Sequence, residues 1–340
     1  MSERTRRPTV KEVAIRAGVS PMTVSRTLSG GLNVKPDVQQ RVMEAVAELG
    51  YHRNENARSI RPGHSSGLIG VAITNIANPY YSTFALGVEE EAALTGRRIL
   101  LGNTSEDAAR EADLVGDFLG RRVDGLIVVP AGTTSTHLAH SQSQGVPVVL
   151  ASRRIEGLAV DSVVLADDDG AYRGTIALLD HGHTRIGYLG NALSIFTGER
   201  RYAGYVRALE ERGLAVDLSI VAANQQTVDQ AREATRALLG AEHPPTAIFC
   251  ANNRNAIGAL KEISAQLGAG LRTAAAFPEI MSFDDFELAE LSPVPISVID
   301  HDPRELGRTV TRLLLDRLDG GDRDAAPREV ELPVSLRSVR

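Results

Sequence analysis

The side chains of this sequence that could do chemistry fall into three groups. Near the start, Ser20, Pro21, Met22, Thr23, Ser25 and Arg26 lie within seven residues. Hydroxyls and backbone N–H groups at a helix start suit phosphate oxygens, and a guanidinium can donate two parallel hydrogen bonds to a guanine edge. Further on, the runs Asp167-Asp168-Asp169 and Asp284-Asp285 and the pair His181-Gly182-His183 could act as metal ligands or acid–base groups. A helix N-terminus after a strand welcomes acidic residues equally, which is the reading adopted for Asp168 and Asp169. Gly182 marks a helix end and no third ligand is evident, so no metal is expected. Only Lys11, Lys35 and Lys261 are lysines, and none follows a glycine-rich loop, which excludes a P-loop. No Gly-x-Ser-x-Gly, Gly-x-Gly-x-x-Gly or zinc spacing occurs either. Neither catalysis nor a cofactor is expected.

Local signals position the first group. Thr9 and Glu12 have capping-box spacing, and Val10, Val13, Ala14 and Ala17 form one apolar helical face closed by Gly18. Ser20 is a good N-cap with Pro21 at the first helical position, so a second helix runs from Pro21 to about Leu28. A third, from about Pro36 to Leu49, presents Val38, Val42, Ala45, Val46 and Leu49 inward and closes at Gly50. Two short helices joined by a glycine-containing turn make a helix-turn-helix, whose second helix enters the major groove. Pro21, Met22 and Arg26 then face base edges.

Charge divides the same way. Residues 1–62 carry eleven Lys and Arg against six Asp and Glu, whereas the rest carries 26 against 37. A basic head on an acidic body points to a polyanionic partner for the head alone. At 340 residues with 43% hydrophobic side chains, the chain has room for about two domains and a small module. Its single cysteine, Cys250, rules out a disulfide framework. No apolar run approaches the ~20 residues of a membrane span, and no secretory signal is evident, so a cytoplasmic protein is expected.

Beyond residue 66, apolar runs alternate with helical stretches. Strands are expected at 68–73, 98–101, 125–129, 146–151, 162–165, 186–189, 219–222, 247–250, 280–283 and 296–299. Helices fall between them, for instance at 80–94, 108–119, 170–180, 198–212, 228–239 and 255–266. Strands spaced by helices imply parallel sheets from right-handed crossovers. Ten strands divide into two sheets of about five around a cleft where strand C-termini meet.

The segments Val10–Ala14 and Ala17-Gly18-Val19-Ser20 through Thr23-Val24-Ser25-Arg26 resemble the headpiece of the LacI/GalR transcriptional regulators. The resemblance places Pro21, Met22 and Arg26 at operator-reading positions. It also implies DNA contacts from Thr9, Ser20, Thr23, Ser25, Asn33 and Lys35, the last standing where a capping Ser is usual. Asn54-Glu55-Asn56-Ala57-Arg58-Ser59-Ile60 resembles the family's hinge helix, at about 54–61, which folds on the operator. Asn54, Ala57 and Arg58 would touch DNA, and Ile60 matches the side chain that wedges into the minor groove, where Leu is usual. Arg53 replaces the usual Pro.

The resemblance continues along nearly the whole chain, through Asn78-Pro79-Tyr80-Tyr81, Gly182–Ile186, Arg201–Tyr205, Ala251-Asn252-Asn253 and Phe283-Asp284-Asp285. It implies an α/β fold: an all-α helix-turn-helix headpiece (1–62) and a two-lobed, periplasmic-binding-protein-like domain (66–340) with parallel sheets. Its N-lobe would comprise about 66–165 and 300–324, its C-lobe about 166–296 and 325–340. Effector contacts are implied for Asn78, Tyr80, Tyr81, Arg153, Arg201, Asn252, Asp284 and His301. In this part of the chain, four further positions depart from the family: Ser152, Ala166 and Asn253 where Asp is frequent, and His301 where Gln is usual. Lost acceptors beside a retained Arg153 point toward an anionic or less hydroxylated effector. No leucine heptad follows Val330–Leu336, so the tetramer helix of some relatives is not expected.

The expected function is a homodimeric regulator, in the sense of a repressor, that binds double-stranded palindromic operator DNA under control of a small molecule, most simply a carbohydrate. No membrane partner is expected. The alternatives are a sugar-binding protein, which would need an export signal, and a sugar-metabolising enzyme with an accessory N-terminal module, which would turn over its ligand.

Overall fold

A computed structural model describes residues 8–28, 30, 33–51, 65–320 and 325–339. The chain forms two compact units, Met1–Ser66 and Gly67–Arg340.

The first unit contains α1 (Val10–Ala17), α2 (Pro21–Leu28) and α3 (Pro36–Leu49). Thr9 and Glu12 close the capping box at the start of α1, and Gly18 ends it at φ 66°, where a side chain would strain the backbone. The three helices bury Val13, Ala14, Ala17, Val24, Val42, Ala45 and Tyr51 against one another. Val24 is the fully buried residue of α2 and Leu28 packs against the same small core, while Pro21, Met22 and Arg26 are exposed.

The second unit is built on two sheets of six strands. One contains β1 (Leu68–Ile73), β2 (Arg98–Asn103), β3 (Gly125–Val128), β4 (Val148–Ala151), β5 (Asp161–Leu165) and β11 (Glu329–Leu332), in the order β11-β5-β4-β3-β1-β2. The other contains β6 (Ile186–Leu189), β7 (Val221–Ala222), β8 (Ala247–Cys250), β9 (Glu279–Phe283), β10 (Ile296–Asp300) and β12 (Ser335–Ser338), in the order β12-β10-β9-β8-β6-β7. Every pairing is parallel except β10 with β12. Helices α4 (Pro79–Leu94), α5 (Ala108–Gly120), α6 (Thr136–Ser143) and α11 (Pro303–Leu318) cover the first sheet. Around the second lie α7 (Asp167–Asp180), α8 (Phe196–Glu211), α9 (Val228–Leu239) and α10 (Asn253–Gly268). Each sheet has an apolar core on both faces, which is why its central strands read as unbroken apolar runs.

Helices α4 and α11 pack with almost no separation at Gly87 and Gly307. A Cβ on Gly87 would lie 2.0 Å from the Arg304 carbonyl oxygen, and one on Gly307 2.2 Å from that of Phe84. Glu90 of α4 then receives both Arg304 and Arg308 of α11.

Four details differ from the sequence expectation. The sheets have six strands rather than about five, because the C-terminal segment supplies one edge strand to each. Residues 325–340, expected wholly in the second lobe, therefore divide: β11 lies beside β5 and only β12 joins the second sheet. Similarly β10 runs to Asp300 in the second sheet, and the return to the first begins with α11. A buried carboxylate holds the β11 return. Asp161 accepts hydrogen bonds from Arg317 of α11 at 2.7 Å and from the Arg328 side chain and backbone at 2.8 Å. Burial opposes its charge, but the two guanidiniums hold its carboxyl below the ordinary value. Of the strand expected at 219–222, Val221–Ala222 form β7, whereas Leu218–Ile220 make a 3-10 turn, because Asp217 accepts from the Ser219 amide at 2.9 Å and curls the chain.

Candidate functional site

In the first unit, α2 presents its residues by helical period. Ser20 caps it, its Oγ accepting from the Thr23 amide at 3.1 Å and lying 2.9 Å from the Thr23 hydroxyl. With Val24 buried, the i and i+4 pairs Pro21/Ser25 and Met22/Arg26 each stand on one face. Pro21, Met22 and Arg26 are exposed, Met22 to 64%, and Arg26 has no ion-pair partner among the described residues. An apolar side chain held in water next to an unpaired guanidinium is the surface expected of a helix that docks elsewhere. Thr9 is engaged in its cap, donating to Glu12 Oε2 at 2.8 Å. Lys35 precedes α3 and is exposed without a side-chain cap bond, and Asn33 is exposed in the left-handed region at φ 63°. Asn54, Ala57, Arg58 and Ile60 lie outside the described residues.

In the second unit, polar side chains gather where the parallel strands end, as the crossover topology requires. Asn78 follows β1, Glu106 follows β2, Ser152 and Arg153 follow β4, and Asp167 follows β5. From the other sheet come Asn191 after β6, Asn252 and Asn253 after β8, Asp284 after β9 and His301 after β10. Glu106, Ser152 and Asp284 turn into the cleft through left-handed backbone at φ 60°, 61° and 67°, a strained arrangement typical of ligand sites.

The cleft is lined by Asn78, Tyr80, Tyr81, Arg153, Arg201, Asn252 and Asp284, together with Glu106, Asn191, Asn253, Arg254 and others. His301 stands behind it, its Nε2 3.3 Å from the Tyr80 hydroxyl and its Nδ1 3.9 Å from Asp284 Oδ1, and it faces a neighbouring groove. Burial lowers its pKa, so the ring is neutral at neutral pH. Tyr80 lies 3.4 Å by its hydroxyl from Ser152 Oγ and meets Tyr81 edge-on at 5.1 Å. Burial also raises the pKa of both phenols above the ordinary value, so both keep their protons at neutral pH.

Both expected arginines are buried and already paired. Arg201, in α8, donates from Nε to Asp167 at 2.7 Å and from Nη1 to the Ala251 carbonyl at 2.6 Å. Its guanidinium also lies 3.6 Å from Asp284 Oδ2 and 3.6 Å above the Phe283 ring centroid, a cation–π contact. Arg153 donates to both oxygens of Glu106 at 2.7 and 2.8 Å and to the Pro130 carbonyl at 2.7 Å. The extra positive charge expected from Arg153 is therefore cancelled inside the protein.

Asn252 caps α10, accepting from the Asn255 amide at 2.8 Å, and donates to Asn191 Oδ1 at 2.9 Å. Asn78 and Asn253 face each other across the lobes and exchange side-chain hydrogen bonds at 3.2 and 2.9 Å. Of the carboxylates here, Asp167 Oδ2 and Asp284 Oδ1 are buried without a hydrogen-bond partner among the described residues. Burial, outweighing Arg201, pushes the Asp167 carboxyl up to about 6. The cavity left between these side chains is about 70 Å³. That holds several waters but falls short of the ~300 Å³ at the lower end of small-molecule sites.

Residue-type reasoning missed Glu106, Asn191 and Arg254, and took Asp167 for a general acidic run. Their shared signal was position: each lies within three residues of a strand's C-terminal end or in the first turn of the following helix. The other candidates resolve elsewhere. Asp168 and Asp169 occupy the first turn of α7, and His181 and His183 both meet Glu279, at 2.9 and 3.1 Å. Among the described residues no cluster of three or more His, Cys, Asp or Glu is arranged to hold a metal.

Comparison with known proteins decides the family. Residues 9–54 match the model of bacterial regulatory proteins of the lacI family, and residues 66–338 that of periplasmic binding proteins and the sugar-binding domain of the LacI family. The chain belongs to the LacI family. This LacI-family chain is 31% identical to catabolite control protein A of Priestia megaterium over 90% of its own length and 91% of that protein's. It is 29% identical to the transcriptional repressor CytR of Escherichia coli K12, over 92% and 90%. Its fold matches the Lac repressor dimer bound to operator and an anti-inducer at a TM-score of 0.81, with 26% identity over 98% of both chains. A transcriptional regulator CelR–cellobiose complex matches at 0.71, with 26% identity over 97% and 98%. The LacI-family chain is accordingly a DNA-binding transcriptional regulator. Among its described residues no helix is long and apolar enough to cross a membrane.

Proposed function

We propose that this regulator is a homodimeric repressor that grips a palindromic operator through α2 of each protomer and releases or secures it according to a carbohydrate-like effector in the cleft. The observation that carries the effector half is Asp284: 7% exposed, held in left-handed backbone, with an acceptor oxygen that no protein group satisfies. An unsatisfied buried acceptor costs about 1–3 kcal/mol, and a hydroxyl donor entering the cleft removes that cost. Arg201, Asn252, Asn78 and the Tyr80 ring surround the same space, giving donors, an amide and an apolar face. The Lac repressor structure with operator and the CelR complex with cellobiose support extending both halves to this chain.

For the DNA half, Arg26 supplies base discrimination, with Pro21 and Met22 as apolar contacts and Ser20, Thr23, Ser25, Asn33 and Lys35 toward phosphates. The segment 54–61, whose sequence resembles the family's hinge, links the two halves. An effector moves this equilibrium only by its differential affinity for the two states.

Two substitutions test the assignment together. Arg26→Ala should remove about 1–3 kcal/mol of operator discrimination per half-site while effector binding persists, whereas Asp284→Ala should abolish the effector response and keep operator affinity. Fluorescence anisotropy on operator and random duplexes, with and without effector, reads both. Wild-type behaviour of either variant would overturn its half of the proposal.

A further inference from the structure

The charges lining the cleft do not cancel locally. Arg153 is matched by Glu106, and Arg201 by Asp167 and Asp284. Arg254 is different. It lines the same cleft, its Nε is buried without a hydrogen-bond partner, and among the described residues no carboxylate lies within ion-pair distance of its guanidinium. It is also the second residue of α10, a helix of 16 residues whose N-terminus Asn252 caps at the cleft. Backbone amides and the helix dipole add further positive potential there. At the end of the neighbouring strand β9, Asp284 lines the same cavity and keeps its open, buried acceptor. A neutral sugar would satisfy Asp284 but leave a partly desolvated guanidinium without a counter-charge, which is unfavourable.

We propose that the effector is a polyhydroxylated acid whose anionic group is held by Arg254 at the start of α10 while its hydroxyls donate to Asp284. The inference rests on the reading of the cleft as the effector site and specifies the ligand class. The anionic group is a carboxylate or a phosphate monoester; both match a guanidinium fork and a helix N-terminus. Arg153, the cation that the sequence brings forward, has no part in this selection because Glu106 already neutralises it.

Isothermal titration of the full chain at about 0.15 M salt tests the inference with matched sets of probes. Each set contains a neutral aldose, its aldonate, its uronate and its 6-phosphate, in the gluco, galacto and manno configurations. One acid should bind at least about tenfold more tightly than its neutral parent, and whether it is a carboxylate or a phosphate identifies the anion. Arg254→Gln should weaken that acid about ten- to a hundredfold, bringing acid and parent to similar affinities. Arg254→Lys, which keeps the charge, should retain part of the preference, and this guards against a merely misfolded variant. A neutral aldose that binds as well as every acid in its set would overturn the inference while leaving the carbohydrate cleft intact. Unchanged acid affinity in Arg254→Gln would overturn it equally. Failure of all probes, neutral and acidic, would remove the carbohydrate reading and this inference together.

Discussion

The two working surfaces of this regulator are assembled in opposite ways. On α2, contiguous residues share one exposed helical face, and Arg26 stands in water without a described counter-charge. In the cleft, residues from strand ends more than two hundred positions apart converge, and Arg201 is buried against two carboxylates, a carbonyl and an aromatic ring. One arginine is kept available for a partner outside the protein; the other is part of the protein's own electrostatic balance. An arginine on a family's ligand-contacting position thus need not be a free donor. Arg201 shapes the site largely by holding Asp167 and Asp284 in place, and each of these carboxylates keeps one oxygen without a hydrogen-bond partner among the described residues.

The same substitution at both positions is the strongest way to break this contrast. Arg201→Ala leaves Asp167 and Asp284 buried without their guanidinium, and breaking a buried pair in this way costs about 3–5 kcal/mol. The lower end is expected, because Asp167 can respond by taking up a proton. Arg26→Ala removes an exposed, unpaired side chain and should change stability by no more than about 0.5 kcal/mol. Urea unfolding of both variants measures the difference directly. Equal costs would mean that the ion pairs of the cleft contribute nothing and that the two surfaces are not differently built.

Titration sharpens the point, since only the buried surface carries a shifted carboxyl of this kind. Asp167 is pushed up by burial to about 6 from an ordinary 3.8. Between these values the folded protein keeps a proton that the unfolded chain has released. Stability from this group is therefore complete below about pH 4 and lost as pH rises through about 6. Asp167→Asn should flatten the dependence of unfolding free energy on pH across that window, by up to about 1.4 kcal/mol per pH unit. An unaltered slope would show that Asp167 is charged throughout, with Arg201 outweighing its burial.

How much of this was legible before folding follows the same division. The headpiece could be read because its instructions are local: the Thr9/Glu12 box, Gly18, Ser20 ahead of Pro21 and the spacing of Val10, Val13, Ala14 and Ala17 all act within one or two turns. Strands were equally legible where both faces are buried, as at β1, β6 and β8, since a doubly covered strand must be apolar throughout. The edge strand β11 is absent from the expected strands, and its segment is assigned to the other lobe, because its alternating, half-exposed residues carry little apolar signal; its position depends on Asp161, 167 residues before Arg328. The cleft was half legible. Resemblance and chemistry brought out Arg153, Arg201, Asn252 and Asp284 as candidates, but no spacing rule says that Glu106 will neutralise Arg153 or that Arg254 will be left over. Those facts belong to the meeting of separate strand ends, and only the folded chain contains them.

The smallest expected effect bears on how the cleft opens. Asn78 and Asn253 exchange two hydrogen bonds between the lobes, while Asn78 also caps α4 by accepting from the Tyr80 amide at 3.2 Å. Asn78→Ala therefore loses two things, Asn253→Ala only one, and a double-mutant cycle separates them. In the wild-type background Asn78→Ala should cost about 1 kcal/mol for the cap plus the penalty of leaving the Asn253 amide unpaired. In the Asn253→Ala background only the cap remains, so a coupling of about 1 kcal/mol is expected between the two positions. Because the cavity behind this pair is too small for a sugar-sized ligand, Asn253→Ala should also speed effector association in stopped-flow experiments. Zero coupling would mean that the amide pair does not hold the lobes together, and that access to Asp284 is controlled elsewhere along the cleft.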